Sequence, residues 1–296
     1  MAGSRDSVTA AASDVCADPA MVDQWYAIAA LEEVPADTPA ATVLLGVDVG
    51  FGVDGSGGPV AWRAAGSRGA EPLPVREDFG YLWTSVGDPP ELFAVPEVDE
   101  ADRRTLNAAT IGIATSTGRA IENFLDMAHF PYVHTGVLGA EPYTEVAEYS
   151  IEMRDGEIWA TGCRFYQPLA AAASTDGTVV DYVYRVPHPA CAMLYKSAPT
   201  DDGRMDAIGI FVQPVGEEFV RAHLFLSLVD DVSADAGIRR FQQTIFGQDK
   251  PILENQYPKR LPLDPRAETP IRADRSAIAY RRWLSDLGVT YGVIPA

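Results

Sequence analysis

The chain has 296 residues, of which 47% are hydrophobic and 22% charged, as is typical of a soluble globular protein. Its net charge of −19 and pI near 4.5 mean that the surface repels phosphate backbones, so we do not expect nucleic acid as a partner. No apolar run approaches the roughly 20 residues that cross a bilayer. Residues 1–15 lack the apolar stretch of a secretory signal and are expected to fray, so the predicted location is the cytoplasm, with no membrane contact.

The first part of the chain predicts short strands. From Trp25 to about Gly87, β-rich segments such as TVLLGVDVGFGV, PVAWRA and FGYLWTSVG alternate with turns such as GSGG. A Pro- and acid-rich connection follows, from Asp88 to about Glu100.

The second part of the chain mixes helices with strands. RAIENFLDMAHF has the apolar spacing of a helix over residues 119–130, which Pro131 is expected to end. Residues 145–229 are strand-like, with turns such as RDGE and PVGEE that join antiparallel neighbours. Further helices are predicted over about 234–257 and 274–287. Strands flanked by a few helices predict the α+β class.

The stretch ENFLDMAHFPYVH contains two of the four histidines in the chain. His129 and His134 are five residues apart, and the break expected at Pro131 allows the second ring to turn back beside the first. Neutral imidazoles are good ligands for iron, zinc or copper. Asn123 and Asp126 fall on the His129 side of the predicted helix, where they are placed to orient the ring or gate a site. From this spacing alone, a helix end with two buried structural histidines remains the alternative.

A third candidate ligand lies in the helix predicted over about 234–257. Asp249 is placed on an otherwise apolar stripe of this helix, and burying a lone carboxylate is costly unless it is paired or coordinates a metal. Pro251 predicts a local kink that could aim the carboxylate. Two histidines and one carboxylate with open positions are typical of non-haem iron(II) sites.

These residues together carry a family resemblance. ENFLDMAHFPYVH resembles the mononuclear-iron motif N-x2-D-x2-H-x4-H of the Rieske non-haem iron oxygenases, and the later helix resembles their D-x-x-x-L-E-x-Q signature. QWYAIAALEEVP, PLPVREDFGYLWTSVG and RLPLDPRAETPIRADRSAIAYRRWL are most similar to the vanillate and dicamba demethylases of that family. The resemblance implies that His129, His134 and Asp249 bind a mononuclear Fe(II), with Asn123 and Asp126 as catalytic neighbours.

The resemblance also implies a fold and an assembly. It predicts a truncated Rieske-like β-domain over residues 16–90 and a helix-grip, START-like catalytic domain over residues 91–296, in which an antiparallel sheet packs against the iron-carrying helices. The trimers of the family place the cluster of one subunit beside the iron of the next. A homotrimer, or a heterohexamer with a second kind of subunit, is therefore expected.

The chain departs from the family where the Rieske cluster is expected. A 2Fe–2S Rieske centre needs two Cys and two His, which the family supplies as C-x-H and C-x2-H between early strands. Here no Cys or His lies between Cys16 and His129, and Cys163 and Cys191 lie far downstream. We therefore expect no 2Fe–2S cluster in this chain, with AAGSRGAEP (residues 64–72) as a short loop in place of the cluster segment.

Three functions are compatible with such a chain. The first is an oxygenase that acts with O2 on a small, aromatic or methoxylated substrate and receives electrons from a separate Rieske-containing subunit or reductase. The second is a redox-neutral lyase, isomerase or hydrolase that uses the metal as a Lewis acid. The third is a non-catalytic subunit of a heteromeric oxygenase. Retention of the three ligand types together with Asn123 and Asp126 favours the first.

Overall fold

The structure is a computed structural model that describes residues 15–64, 70–172, 174, 176–198, 201 and 203–296. Antiparallel sheets with a few helices form this part of the chain, which confirms the predicted α+β class. No helix within these ranges is long and apolar enough to cross a membrane. The fraying predicted for residues 1–15 falls almost wholly outside the described residues.

The first part of the chain forms two small antiparallel sheets, as its β-rich segments predict. Their strands are β1 (Tyr26–Ala30), β2 (Ala40–Leu44), β3 (Val47–Val53), β4 (Pro59–Arg63), β5 (Glu71–Leu73), β6 (Val75–Asp78) and β7 (Tyr81–Thr84). One sheet has the order β1-β7-β6 and the other β2-β3-β4-β5. A short helix, α1 (Pro19–Val22), precedes them.

The predicted replacement loop over residues 64–72 follows β4, and its last two residues belong to β5. These strands pair directly, with Ala61 opposite Leu73 and Arg63 opposite Glu71. Residues 65–69 of the loop lie outside the described residues.

A seven-stranded antiparallel sheet forms the larger part of the fold. Its strands are β8 (Arg104–Ile113), β9 (Ser150–Arg154), β10 (Glu157–Gln167), β11 (Thr178–His188), β12 (Cys191–Ser197), β13 (Met205–Gly216) and β14 (Phe219–Leu228). The strand order is β8-β14-β13-β12-β11-β10-β9. From β9 to β14, neighbours in sequence pair as hairpins, two of them through the predicted turns RDGE and PVGEE. Asp155 and Gly156 both have positive φ in the RDGE turn.

Strand β8 is the main element that the sequence did not predict. It closes one edge of the sheet by pairing with β14, and α4 packs against it. Most of its residues are half-buried, so it lacks the period-two alternation that identifies a strand with one wet and one dry face.

Four further α-helices follow α1 within the described residues. They are α2 (Thr117–Leu125), α3 (Phe130–Val133), α4 (Asp235–Asn255) and α5 (Arg275–Asp286). Two short parallel strands, β15 (Leu261–Pro262) and β16 (Val293–Ile294), lie beside them. The positions of α4 and α5 confirm the sequence prediction, and α4 continues through Pro251.

The prediction of one helix over residues 119–130, ended by Pro131, is wrong. Helix α2 ends at Leu125, because the next residue, Asp126, is extended and its carboxylate accepts a hydrogen bond from the backbone N–H of Ala128. Pro131 lies in the first turn of α3, where a missing N–H costs nothing.

The hydrophobic core continues across both faces of the seven-stranded sheet. On one face, Trp83 from β7 packs against Phe211 from β13, with ring centroids 4.9 Å apart. On the other face, Phe130 packs against Phe165 and Tyr182 of the sheet. The helices therefore cover one face, and the N-terminal strands cover the other.

Candidate metal centre

The turn between α2 and α3 positions the first histidine. One oxygen of Asp126 accepts from the Ala128 N–H at 2.7 Å and holds the turn, while its Oδ2 lies 3.1 Å from Nδ1 of His129. The contact predicted from a shared helix face therefore exists, but it forms across a turn after the helix has ended. Asp126 fixes both the backbone and the orientation of the imidazole ring.

The second histidine lies at the end of α3 and is buried, with 1% of its surface exposed. Nδ1 of His134 lies 2.9 Å from Oε1 of Gln248 on α4. A residue more than a hundred positions away in sequence therefore orients this ring.

The three predicted ligand residues converge. Nε2 of His129 and Nε2 of His134 are 3.0 Å apart, and Oδ1 of Asp249 lies 3.4 Å and 3.1 Å from them respectively. Ligand atoms about 2.1 Å from one metal and at right angles to each other lie about 3 Å apart. These are the only His, Cys, Asp and Glu groups among the described residues whose ligand atoms come together closely enough to hold a metal.

The hydrogen bonds around the rings make this donor set suitable for a cation. Both Nδ1 atoms face oxygens, from Asp126 and Gln248, that can only accept hydrogen bonds, so each neutral ring carries its proton on Nδ1. When both rings are neutral, each Nε2 presents a lone pair towards the other and towards Oδ1 of Asp249. Three converging acceptors are unfavourable without a positive charge between them, which either a metal ion or a proton on His129 supplies. Two imidazole nitrogens and one carboxylate oxygen suit iron(II).

The electrostatics of the site also attract positive charge. Burial lowers the pKa of His129, but hydrogen bonds and charge from Asp126 and Asp249 outweigh burial and raise this pKa to about 9. Burial raises the pKa of Asp249, but the hydrogen bonds and charges of His129 and His134 lower it by more. The pKa of Asp249 therefore lies below its usual value. A metal ion competes with protons for these groups, so its affinity should fall as the pH falls.

Asn123 lies between two depressions. It lines an outer cleft together with Asp126, His129 and the salt-bridged side chains of α2 and α5. It also lines an inner cavity together with all three candidate ligands. Asn123 therefore lies beside the candidate ligands, and its catalytic role stays a prediction.

The inner cavity lies between α2, α4 and one face of the large sheet. Its apolar lining is Phe124, Phe130, Leu138, Leu194, Ile208, Phe241 and Ile245. Its polar lining, apart from Asn123, Gln242 and the ligands, is Gln167, Tyr182, Tyr184 and Lys196. A cavity with an apolar wall and a few polar groups suits a small organic ligand.

The outer cleft has a network of buried charges at its base. Arg119 and Arg281 both pair with Glu122 and Glu268, and the Arg119 side chain is fully buried. Sequence reasoning missed this network, although the Arg119–Glu122 spacing of three residues on a helix is a recognisable signal. It also missed Gln248, Gln167 and Lys196, for which local spacing carries no signal.

Comparisons with known proteins place the chain in a family. The model of the vanillate O-demethylase oxygenase C-terminal domain matches residues 113–289. The chain is 47% identical over 275 residues to the probable methylxanthine N7-demethylase NdmC of Pseudomonas sp. (strain TJI-51), covering 92% of this chain and 96% of that protein. It is 26% identical over 171 residues to the methylxanthine N1-demethylase NdmA of Pseudomonas putida, covering 57% of this chain and 46% of that protein.

Solved structures show the same fold. Pseudomonas putida CBB5 NdmA superposes with a TM-score of 0.73 at 17% identity, over 90% of each chain. Dicamba monooxygenase bound to 3,6-dichlorosalicylic acid superposes with a TM-score of 0.73 at 16% identity, over 90% of this chain and 97% of that chain. The family match, the relatives and the shared fold lead to one conclusion: the chain belongs to the Rieske non-haem iron oxygenases of vanillate O-demethylase type, a family of oxidoreductases.

Proposed function

We propose that this chain is the catalytic subunit of an iron(II) oxygenase that removes an N-methyl group from a methylxanthine. The observation that supports the proposal is the convergence of Nε2 of His129, Nε2 of His134 and Oδ1 of Asp249 beside an inner cavity. The substrate class rests on the relative NdmC, named a probable methylxanthine N7-demethylase, with which this chain shares 47% identity.

The reaction balances as N–CH3 + O2 + 2 e− + 2 H+ → N–H + CH2O + H2O. Iron(II) bound by His129, His134 and Asp249 would supply open positions for O2 and the change of oxidation state. The chain itself holds both imidazoles in one tautomer through Asp126 and Gln248. The apolar side chains of the inner cavity exclude water and hold the methyl-bearing ring beside the ligands.

The proposal includes a separate electron donor, a Rieske-containing oxygenase subunit or reductase. The sequence contains four histidines, and the two outside the candidate metal centre are buried in strands of the large sheet. Nδ1 of His188 accepts from the Ala190 N–H, and His223 contacts Thr110 and Gln213. This supports the expectation that the chain holds no 2Fe–2S cluster. The homotrimer and the heterohexamer remain predictions.

Iron binding is tested first, on the full chain. Wild type, Asp249→Ala and His188→Asn are loaded anaerobically with Fe(II), desalted and analysed for metal. We expect one iron per chain in wild type and in His188→Asn, and at least a tenfold lower content in Asp249→Ala. His188 is a suitable control because it packs against Tyr26 and Phe93 and lines neither depression beside the centre. Stoichiometric iron in Asp249→Ala would contradict the ligand assignment, and a wild type that holds none would favour the non-catalytic subunit.

The reaction is tested with theobromine and caffeine as probes and formaldehyde as the measured product. Hydrogen peroxide supplies both oxygen and the two reducing equivalents, so N–CH3 + H2O2 → N–H + CH2O + H2O needs no partner. We expect formaldehyde with peroxide and none with O2 alone. Formaldehyde with O2 alone would contradict the need for a donor. Absence of formaldehyde in every case from an iron-loaded chain would contradict the substrate class, and conversion without any oxidant would favour redox-neutral chemistry.

A further inference from the structure

Three buried polar atoms on one wall of the inner cavity have no hydrogen-bond partner. They are Oε1 of Gln167 and the hydroxyls of Tyr182 and Tyr184. The exposed fractions of these residues are 1%, 2% and 1%. We call this set the polar wall. It belongs to the large sheet, opposite the helices that carry the candidate ligands.

Leaving such groups unpaired is unfavourable. A buried polar group without a partner costs about 1–3 kcal/mol, and native structures contain few of them. Here three lie together in a cavity that also contains the candidate metal ligands. A ligand that pairs with them recovers this cost, so the polar wall indicates where a substrate is recognised.

The chemistry of the polar wall defines what it can recognise. Oε1 of Gln167 only accepts hydrogen bonds, whereas the two tyrosine hydroxyls can donate them. Gln167 lies on β10 and the two tyrosines lie on the neighbouring strand β11, where their rings stack with centroids 6.1 Å apart. An acceptor beside donors is complementary to an N–H beside carbonyl groups, which is the imide edge of an oxidised purine or pyrimidine.

We propose that Gln167, Tyr182 and Tyr184 are specificity-determining residues that bind the imide edge of the substrate, with the N–H donating to Gln167 and the carbonyls accepting from the tyrosines. This inference deepens the proposed function and rests on its assignment of the inner cavity as the substrate site. The apolar residues Phe124, Leu194 and Ile208 then contact the ring faces and the methyl groups.

Lys196 lines the same cavity but is already engaged. Its ammonium donates to the backbone carbonyl of Ala170 and interacts with the charge of Asp206. Because its ammonium has these partners, Lys196 is left out of the polar wall.

The first test compares two ligands that differ only at the imide edge. Theobromine carries an N–H between two carbonyls where caffeine carries N–CH3, and both have the same N7 methyl group. Binding to the Fe(II)-loaded full chain is measured by anaerobic calorimetry, without turnover. We expect theobromine to bind about tenfold or more tightly than caffeine, and Gln167→Leu to abolish that ratio. Equal affinities in wild type, or an unchanged ratio in Gln167→Leu, would overturn the inference.

The second test separates recognition from folding. Tyr182→Phe and Tyr184→Phe remove hydroxyls that have no partner, so the melting temperature of the ligand-free chain should stay level or rise while theobromine affinity falls. Tyr280→Phe is the matched control, because its buried hydroxyl donates to the Pro189 carbonyl at 2.7 Å. It should lower the melting temperature and leave affinity unchanged. The opposite pattern would assign the cavity hydroxyls a purely structural role.

Uracil distinguishes failure of this inference from failure of the proposed substrate class. It carries an imide edge without the methylxanthine skeleton and is titrated at millimolar concentration. Binding of uracil but of neither xanthine, lost in Gln167→Leu, would retain the polar wall and overturn the substrate class. Binding of none of the three compounds would overturn both.

Discussion

His188 and His223 show at the scale of a single residue why a histidine is not a ligand by default. Both are buried in strands of the large sheet, and burial lowers the pKa of each to about 3. They are therefore neutral in the folded chain at pH 7, whereas in the unfolded chain a histidine has a pKa near 6.5.

This difference predicts a loss of stability in acid. Between pH 3 and 6.5 the unfolded chain binds protons that the folded chain does not, so the free energy of unfolding falls as the pH falls below 6.5. We expect each buried histidine to contribute about 2 kcal/mol to the loss between pH 7 and pH 5. Urea unfolding of wild type and His188→Asn at both pH values measures this. Asn can still accept a hydrogen bond from the Ala190 N–H, so the variant keeps this contact. If the free energy of unfolding fell as much in His188→Asn as in wild type, the lowered pKa of His188 would be contradicted.

Gln248 should control iron affinity through the orientation of His134. Gln248→Leu removes the acceptor for Nδ1, which frees the ring to rotate or to change tautomer. We predict a 10- to 100-fold rise in the Kd for Fe(II), measured by competition with a chelator. Gln243→Leu on the same helix is the matched control, because its side chain donates to the Ala108 carbonyl away from the centre. Equal effects of the two changes would show that only helix stability matters.

At the scale of elements, the buried charge network connects α2 to α5. Glu122 accepts from Arg281 at 2.6 Å and from Arg119 at 3.2 Å, and Arg119 also pairs with Glu268. Because α2 carries Asn123 and ends at the turn of Asp126, the network holds in place the element that precedes the first histidine.

Breaking that network should be costly. Glu122→Gln keeps the shape of the side chain but leaves two buried guanidinium groups with one carboxylate, and we expect a loss of about 3 kcal/mol in the free energy of unfolding. The exposed pair of Arg154 and Glu152 gives the control, since Glu152→Gln should cost less than about 1 kcal/mol. Urea unfolding of both variants measures the difference. A loss in Glu122→Gln no larger than in the control would mean that water reaches the network.

At the scale of the whole molecule, the predicted units over residues 16–90 and 91–296 share hydrophobic core. Trp83 and Tyr81 of the first contact Phe211 of the second, and the backbone N–H of Leu45 donates to the Pro214 carbonyl at 2.7 Å. These three aromatic side chains belong to one buried cluster that contains residues of both units.

We therefore predict that the two units unfold together. Differential scanning calorimetry of the full chain should show one transition, and Phe211→Ala should lower its midpoint without splitting it, with a cost of about 3–5 kcal/mol. Two transitions of which only one moves in the variant would show that the units are thermodynamically independent.

Short-range information in the sequence determined much of this picture. The spacing of His129, His134 and Pro131, and the carboxylate of Asp249 on an apolar stripe, identified all three residues that converge. The strand-like segments of residues 145–229 predicted the strands of the large sheet, and RDGE and PVGEE predicted two of its hairpin turns. The same reasoning placed the end of α2 too late, because it ignored the competing hydrogen bond that Asp126 offers to the backbone.

Only the tertiary structure decided the rest. The pairing of Gln248 with His134, the two arginines that share Glu122, and the polar wall formed by β10 and β11 all join residues through the packing of helices on the sheet. Periodicity tells which face of an element is buried, because it reflects the geometry of that element alone. It does not tell which side chain from a distant part of the chain is buried against that face, because that depends on strand order and helix packing.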